Sequence, residues 1–119
     1  MHVYYNSWVW RVVFHPEAAA EHRRLPVAER EAIDHAVEKL RAMGPPLPYP
    51  HQSDVRGASS LRALRPRAGR SAWRALYRRV GQLFIVVAVG PEAEVDPRGF
   101  DRTVYAALTR LDDLEGGEL

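Results

Sequence analysis

Cysteine is missing from all 119 positions, so neither a disulfide framework nor a thiolate metal site can form, and a reducing compartment is the simplest setting. Long apolar runs are missing too. The longest, Leu83 to Val89, is far too short to span a bilayer, and the N-terminus lacks a basic region followed by an apolar stretch and a cleavage site. A cytoplasmic location without a membrane partner is expected. Lysine is almost absent, since the seventeen basic residues are sixteen arginines and Lys39. The most informative absence is local. From Val55 to Pro91 there is no Asp or Glu, while arginine stands at 56, 62, 65, 67, 70, 74, 78 and 79. That stretch carries +8 in a chain of net formal charge +2, which leaves −6 for the rest. A GC-rich genome accounts for arginine in place of lysine. It does not account for the loss of carboxylates from one third of the chain, and a surface facing a polyanion is the reading this favours.

What is present is a globular composition, with 46% apolar and 27% charged residues, of a length that suits one domain around one core. Ser7 to Phe14 is aromatic and β-branched and reads as a strand, with Trp8, Trp10, Val12 and Phe14 on one face. Pro16 to Leu25 reads as a short helix opened by Pro16 and ended by Pro26. From Val27, the residues Ala32, Ile33, Ala36, Val37, Leu40 and Met43 recur at helical spacing up to a C-cap candidate, Gly44. The two helices form a hairpin whose apolar stripe needs a sheet to cover it. Gly44 to Ser60, rich in proline, reads as a long loop. Leu61 to Arg65, Ala72 to Arg79 and Gln82 to Val89 read as strands, the last two joined by a turn at Val80-Gly81. The last strand is apolar on both faces, which suits an interior place in the sheet. Phe100 to Leu114 carries Val104, Leu108, Leu111 and Leu114 at helical spacing, before a polar tail.

This order, together with the strings MGPPLPYP, VRG, LRALRPRAG, WRALYRR and TVYAALTRL, resembles the RelE/ParE toxin superfamily, in particular its phage-derived, HigB-like branch. The resemblance runs over about residues 9–114, leaving a short N-terminal extension and a C-terminal tail. It implies an α+β, RelE-like fold: an N-terminal strand, a helical hairpin, an antiparallel sheet of about four strands and a C-terminal helix. It also implies the toxin of a type II toxin–antitoxin system. In the RelE branch such a toxin is a ribosome-dependent, metal-independent mRNA endonuclease, neutralised by a cognate antitoxin, here expected to be of helix-turn-helix type. ParE-like members poison gyrase without chemistry of their own, and an inactive relative would act only through antitoxin binding. Fold alone does not choose among the three.

Cleaving RNA without a metal requires deprotonation of the 2′-hydroxyl, protonation of the leaving oxygen and neutralisation of charge on the pentacoordinate phosphate. Arginine suits the last task, because its planar fork meets two phosphate oxygens and stays charged. By the resemblance, Arg65 and Arg74 take that task and Tyr105 serves acid/base catalysis. Tyr105 has an equally good structural explanation, packing on the sheet with its hydroxyl at the surface. Arg56, Arg62, Arg67, Arg70, Arg78 and Arg98 are candidates for holding RNA backbone. Where RelE-like members carry lysines, this chain has Leu61 and Ala63, so the general base is open. His51, in the proline-rich loop, is one candidate and a solvated loop histidine the alternative. Glu31, His35 and Glu38 share a helix face, as solvated residues also do, and no metal or other cofactor is assigned. Trp8, Trp10 and Trp73 fit a core better than a base-stacking surface.

Overall fold

The computed structural model describes residues 10–117. β1, Arg11–Phe14, is followed by α1, Pro16–Arg23, and α2, Val27–Met43. Then come β2, Gln52–Asp54; β3, Arg62–Leu64; β4, Trp73–Val80; β5, Leu83–Pro91; and α3, Pro97–Gly117. The five strands form one sheet in the order β1-β5-β4-β3-β2. The run from β5 to β2 is antiparallel, as expected, and β1 adds to β5 in parallel.

Local chemistry sets the element ends. α1 begins at Pro16, whose fixed φ suits a first helical turn, and the His15 ring Nδ1 accepts the Glu17 N–H at 3.0 Å as a cap. α2 ends at Gly44, with φ 68°, whose N–H reaches the Leu40 carbonyl at 2.7 Å. A Cβ at Gly44 would also lie 2.6 Å from the Trp10 ring. Two constraints therefore demand glycine at this point.

The sheet is covered on both faces. On one side Ile33, Ala36 and Leu40 of α2 and Ala18 of α1 pack on Leu64, Ala75, Tyr77, Phe84 and Val86, with Trp10, Val12, Phe14 and Trp73 half-buried around them. Ile33 and Leu40 are fully buried, each worth about 1.5–3 kcal/mol of transfer free energy. On the other side Ala107 and Leu111 of α3 pack on Ala63, Leu76, Val87 and Ala88. β5 thus lies inside the sheet with both faces covered, as its continuous apolar run requires. Trp10 and Trp73 join the core; Trp8 lies outside the described residues.

Four local expectations are corrected. The Gly44 to Ser60 loop contains β2, which pairs with β3 through Gln52↔Leu64. It is a polar edge strand without apolar alternation, held by the buried Gln52 amide, which donates to the Leu47 carbonyl and accepts from Arg62. The β4–β5 turn falls at Gly81 and Gln82, one residue later, because Val80 still pairs with Leu83 and Gly81 supplies the positive φ of 62°. The first helix ends at Arg23 rather than Leu25, since Arg24 and Leu25 cap it with 3₁₀-type bonds to Glu21 and His22. In α3 the buried stripe is Thr103, Ala107 and Leu111, while Leu108 and Leu114 stay 36% and 40% exposed. Small residues face the sheet there because the helix sits close to it: a Cβ at Gly90 would collide with Thr103.

Candidate nucleic-acid interface

Pairing of β2, β3 and β4 brings Ser53, Ala63 and Leu76 side by side on the α3 face of the sheet. Beyond them, the chain from Glu92 to Asp101 walls off a cleft of about 600 Å³. Arg56, Arg65 and Arg74 line it, and so do Asp54, Glu92, Glu94 and Asp101. Three of the expected arginines therefore meet at one place. The four carboxylates around them were not anticipated.

Arg74 is 5% exposed. Its Nη1 donates to the Ser71 carbonyl at 2.8 Å and the Trp73 carbonyl at 2.9 Å, its Nη2 donates to the Gly69 carbonyl at 3.3 Å, and Glu92 lies 3.7 Å away. Burial, followed by the nearby Arg65 charge, lowers its pKa from the ordinary arginine value, while Glu92 and Glu94 oppose that shift. Its donors are directed at the protein's own backbone. Arg65 differs. Its Nε donates to the Pro50 carbonyl at 2.9 Å and its guanidinium carbon stands 5.0 Å from the Tyr49 ring centroid. It is in no ion pair among the described residues. Arg56 is exposed in the turn after β2 and is likewise in no such pair.

The other expected residues lie elsewhere. Strand alternation divides the arginines between two faces. Arg62 projects on the Tyr77 side and pairs with Asp54. Arg78 projects on the α3 side and pairs with Glu115 at 2.7 Å. Arg67 grips both carboxylate oxygens of Glu29, on α2, at 3.1 and 3.0 Å. Arg70 and Arg98 are exposed and outside the cleft lining. Tyr105 is 74% exposed and one helical turn beyond Asp101, outside the lining. His51 lines a different cavity, beside α2. Among the described residues no group of three or more His, Asp or Glu side chains is placed to hold a metal ion, and no helix is long and apolar enough to cross a membrane.

The missed carboxylates had a signal in the sequence. Asp54 and Glu92 are the residues immediately flanking the acid-free stretch, and folding returns each to an arginine inside it.

An α+β sheet of this order, with a helical hairpin on one face and a helix on the other, is the fold of the RelE toxins. An arginine double mutant of the Escherichia coli toxin RelE in the free state superposes with a TM-score of 0.62 at 19% identity, covering 85% of this chain and 96% of that one. The isolated Escherichia coli RelE toxin gives 0.55 at 21%, covering 78% and 97%. A chain of the archaeal RelE–RelB complex from Pyrococcus horikoshii gives 0.52 at 18%, covering 70% and 94%. No curated protein matches the sequence. The family model described as phage derived protein Gp49-like (DUF891) matches residues 20–90, and the chain belongs to that family. The suspected RelE/ParE kinship is borne out.

Proposed function

We propose that this chain is the toxin of a toxin–antitoxin pair, a cytoplasmic protein that binds the ribosome and cleaves mRNA there, and that a cognate antitoxin of helix-turn-helix type neutralises it. The kinship with RelE toxins, one of them solved in a RelE–RelB complex, supports the toxin role. The observation that carries the RNA-directed part is the convergence of Arg56, Arg65 and Arg74 on one cleft, the first two in no ion pair among the described residues.

In this reading Arg65 presents its terminal nitrogens to the scissile phosphate, its Nε being occupied by Pro50, and Arg56 holds an adjacent phosphate. Arg74 adds positive field from beneath and fixes the Gly69–Trp73 backbone that supports the cleft. With no lysine at positions 61 and 63 and His51 lining the other cavity, we assign the role of proton acceptor to a carboxylate of the cleft. Glu94 fits best, being exposed and bordering the cleft. Tyr105 acts from the rim, one turn along α3 from Asp101.

One observation favours a second, non-cleaving reading, in which the protein traps a protein target such as gyrase or works only through its antitoxin. The cleft holds four carboxylates against three arginines, and Arg74 is committed to backbone carbonyls. Induced expression without antitoxin separates the two, with mRNA 5′ ends and DNA breaks mapped in cells carrying wild type or Arg65→Ala with Tyr105→Phe. New in-frame mRNA ends, lost in the double variant, are the expected result. DNA breaks without new mRNA ends would transfer the assignment to gyrase poisoning. Normal growth with neither would leave a protein that acts through its antitoxin alone.

A further inference from the structure

A second cavity, of about 470 Å³, lies on the other side of Arg65, between α2 and the turn Pro66–Gly69. Its floor is built from alanines: Ala28, Ala32 and Ala36 stand four residues apart along one stripe of α2. Their short side chains leave an open trough where longer ones would fill it. On the adjoining row of α2, His35 and Lys39 are exposed. The opposite wall presents His51, Arg65 and Arg67. Glu31 is the one carboxylate in the lining. With Arg67 neutralised by Glu29 behind it, the remaining fixed charges of the lining are Lys39 and Arg65 against Glu31, a net positive charge.

The wall is held in place. Arg67 is anchored through both Glu29 oxygens and the Ala28 carbonyl. Arg67, Ala68 and Gly69 all have left-handed backbones, with φ of 55°, 56° and 95°, a costly conformation for the two that are not glycine. That conformation puts Gly69 under the Arg65 guanidinium, and a Cβ there would collide with it. Arg65 is thereby fixed as the partition between the two cavities, lining both.

We infer that the α2 trough is a phosphate-binding subsite, which takes the next phosphodiester of an RNA strand that crosses Arg65 from the cleft. Arg65 contributes the terminal N–H donors that the scissile phosphate leaves free, Lys39 a mobile point charge, and His35 and His51 ring N–H donors. This role for His51 is positional: it binds the strand away from the reacting atoms. The inference rests on the RNA-directed reading above, and the experiment separates failure of one from failure of the other.

Two probes are used on the full chain: inorganic phosphate, and a short 2′-O-methyl RNA oligonucleotide that cannot be cut. Imidazole resonances report the trough, and fluorescence anisotropy over a salt series reports oligonucleotide affinity. His35→Ala with Lys39→Ala alters exposed side chains of the trough, and Arg56→Ala alters the cleft. Phosphate is expected to move the His35 and His51 resonances of the wild type. The trough double variant is expected to bind the oligonucleotide about three- to tenfold more weakly, with a salt slope reduced by about one. If phosphate moves the imidazoles while the oligonucleotide does not bind, the phosphate site stands and the RNA-directed reading falls. Weakening by Arg56→Ala, with the trough variant at wild-type affinity and slope, would overturn the trough and leave the RNA reading intact. Imidazoles indifferent to both probes would overturn the subsite outright.

Discussion

The guanidinium of Arg74 is surrounded by the carbonyls of Gly69, Ser71 and Trp73, so removing it orphans buried acceptors and leaves Glu92 without its nearest cation. Arg74→Ala is expected to lower unfolding free energy by about 2–4 kcal/mol, read as a shift of the urea midpoint. A midpoint within error of wild type would mean that the carbonyls find other donors. A lost effect on growth in that variant therefore bears on the proposed cleavage only once its folding has been measured. Arg65→Ala is the cleaner probe, because Arg65 makes one backbone hydrogen bond and lies against an exposed Tyr49 ring. At this scale the sequence was only partly informative. It marked Arg65 and Arg74 together, and they do meet. It could not reveal which of the two has its donors consumed, since that depends on carbonyls supplied by a turn with no hydropathy signature. Tyr105 was ambiguous in the sequence because a catalytic phenol and one packed on the sheet leave the same residue in the same string; the residue is 74% exposed and does not pack there.

Between elements, Glu29 ties α2 to the segment after β3. It accepts two bonds from Arg67 and one from the Ser71 hydroxyl at 2.9 Å. The Arg67 bond chiefly, then the Ser71 bond, holds the Glu29 carboxyl below its usual value of 4.5. A carboxylate whose folded pKa is depressed stabilises the native state above its unfolded pKa and ceases to do so as pH falls through the folded one. Glu29→Gln is accordingly expected to be less stable than wild type near neutral pH, with the gap narrowing in acid as the pH falls below 4.5. Urea midpoints at neutral pH and in acid check this, and a gap independent of pH would place the contribution in packing instead. The elements themselves were legible wherever apolar period and end signals agreed, as in α2 from Val27 to Gly44. They were illegible where a strand is polar and borrowed, as in β2. In α3 the buried face is made of Thr103 and Ala107 because the helix lies against Gly90. Leucine spacing found Leu111 and the adjoining Val104 but not the small residues of that face.

Across the molecule, the linear division of charge is partly undone by folding. Arg62, Arg67, Arg74 and Arg78 each find a carboxylate from outside the acid-free stretch, leaving Arg56 and Arg65 as the cleft's uncommitted cations. A sequence records how charges are distributed along the chain, and it gives no measure of which pairs the topology will close. The longest closure joins α1 to α3. Arg110 meets both Glu21 oxygens at 3.0 and 2.7 Å and donates to the Val87 carbonyl at 2.8 Å, while Glu21 accepts the Val89 N–H at 2.9 Å. Arg110→Met is expected to cost about 2–4 kcal/mol, because a half-buried carboxylate and a backbone carbonyl lose their donor together. A thermal midpoint equal to that of wild type would refute this. The same pair has a consequence beyond stability. β1 accompanies β5 only as far as Val86, so Val87 and Val89 offer backbone groups on a margin where another chain could dock as an added strand. With Glu21 and Arg110 occupying those groups, the sheet carries its own stopper there, and a second copy of the chain meets no free donor at Val89 or free acceptor at Val87 from which to build an added strand.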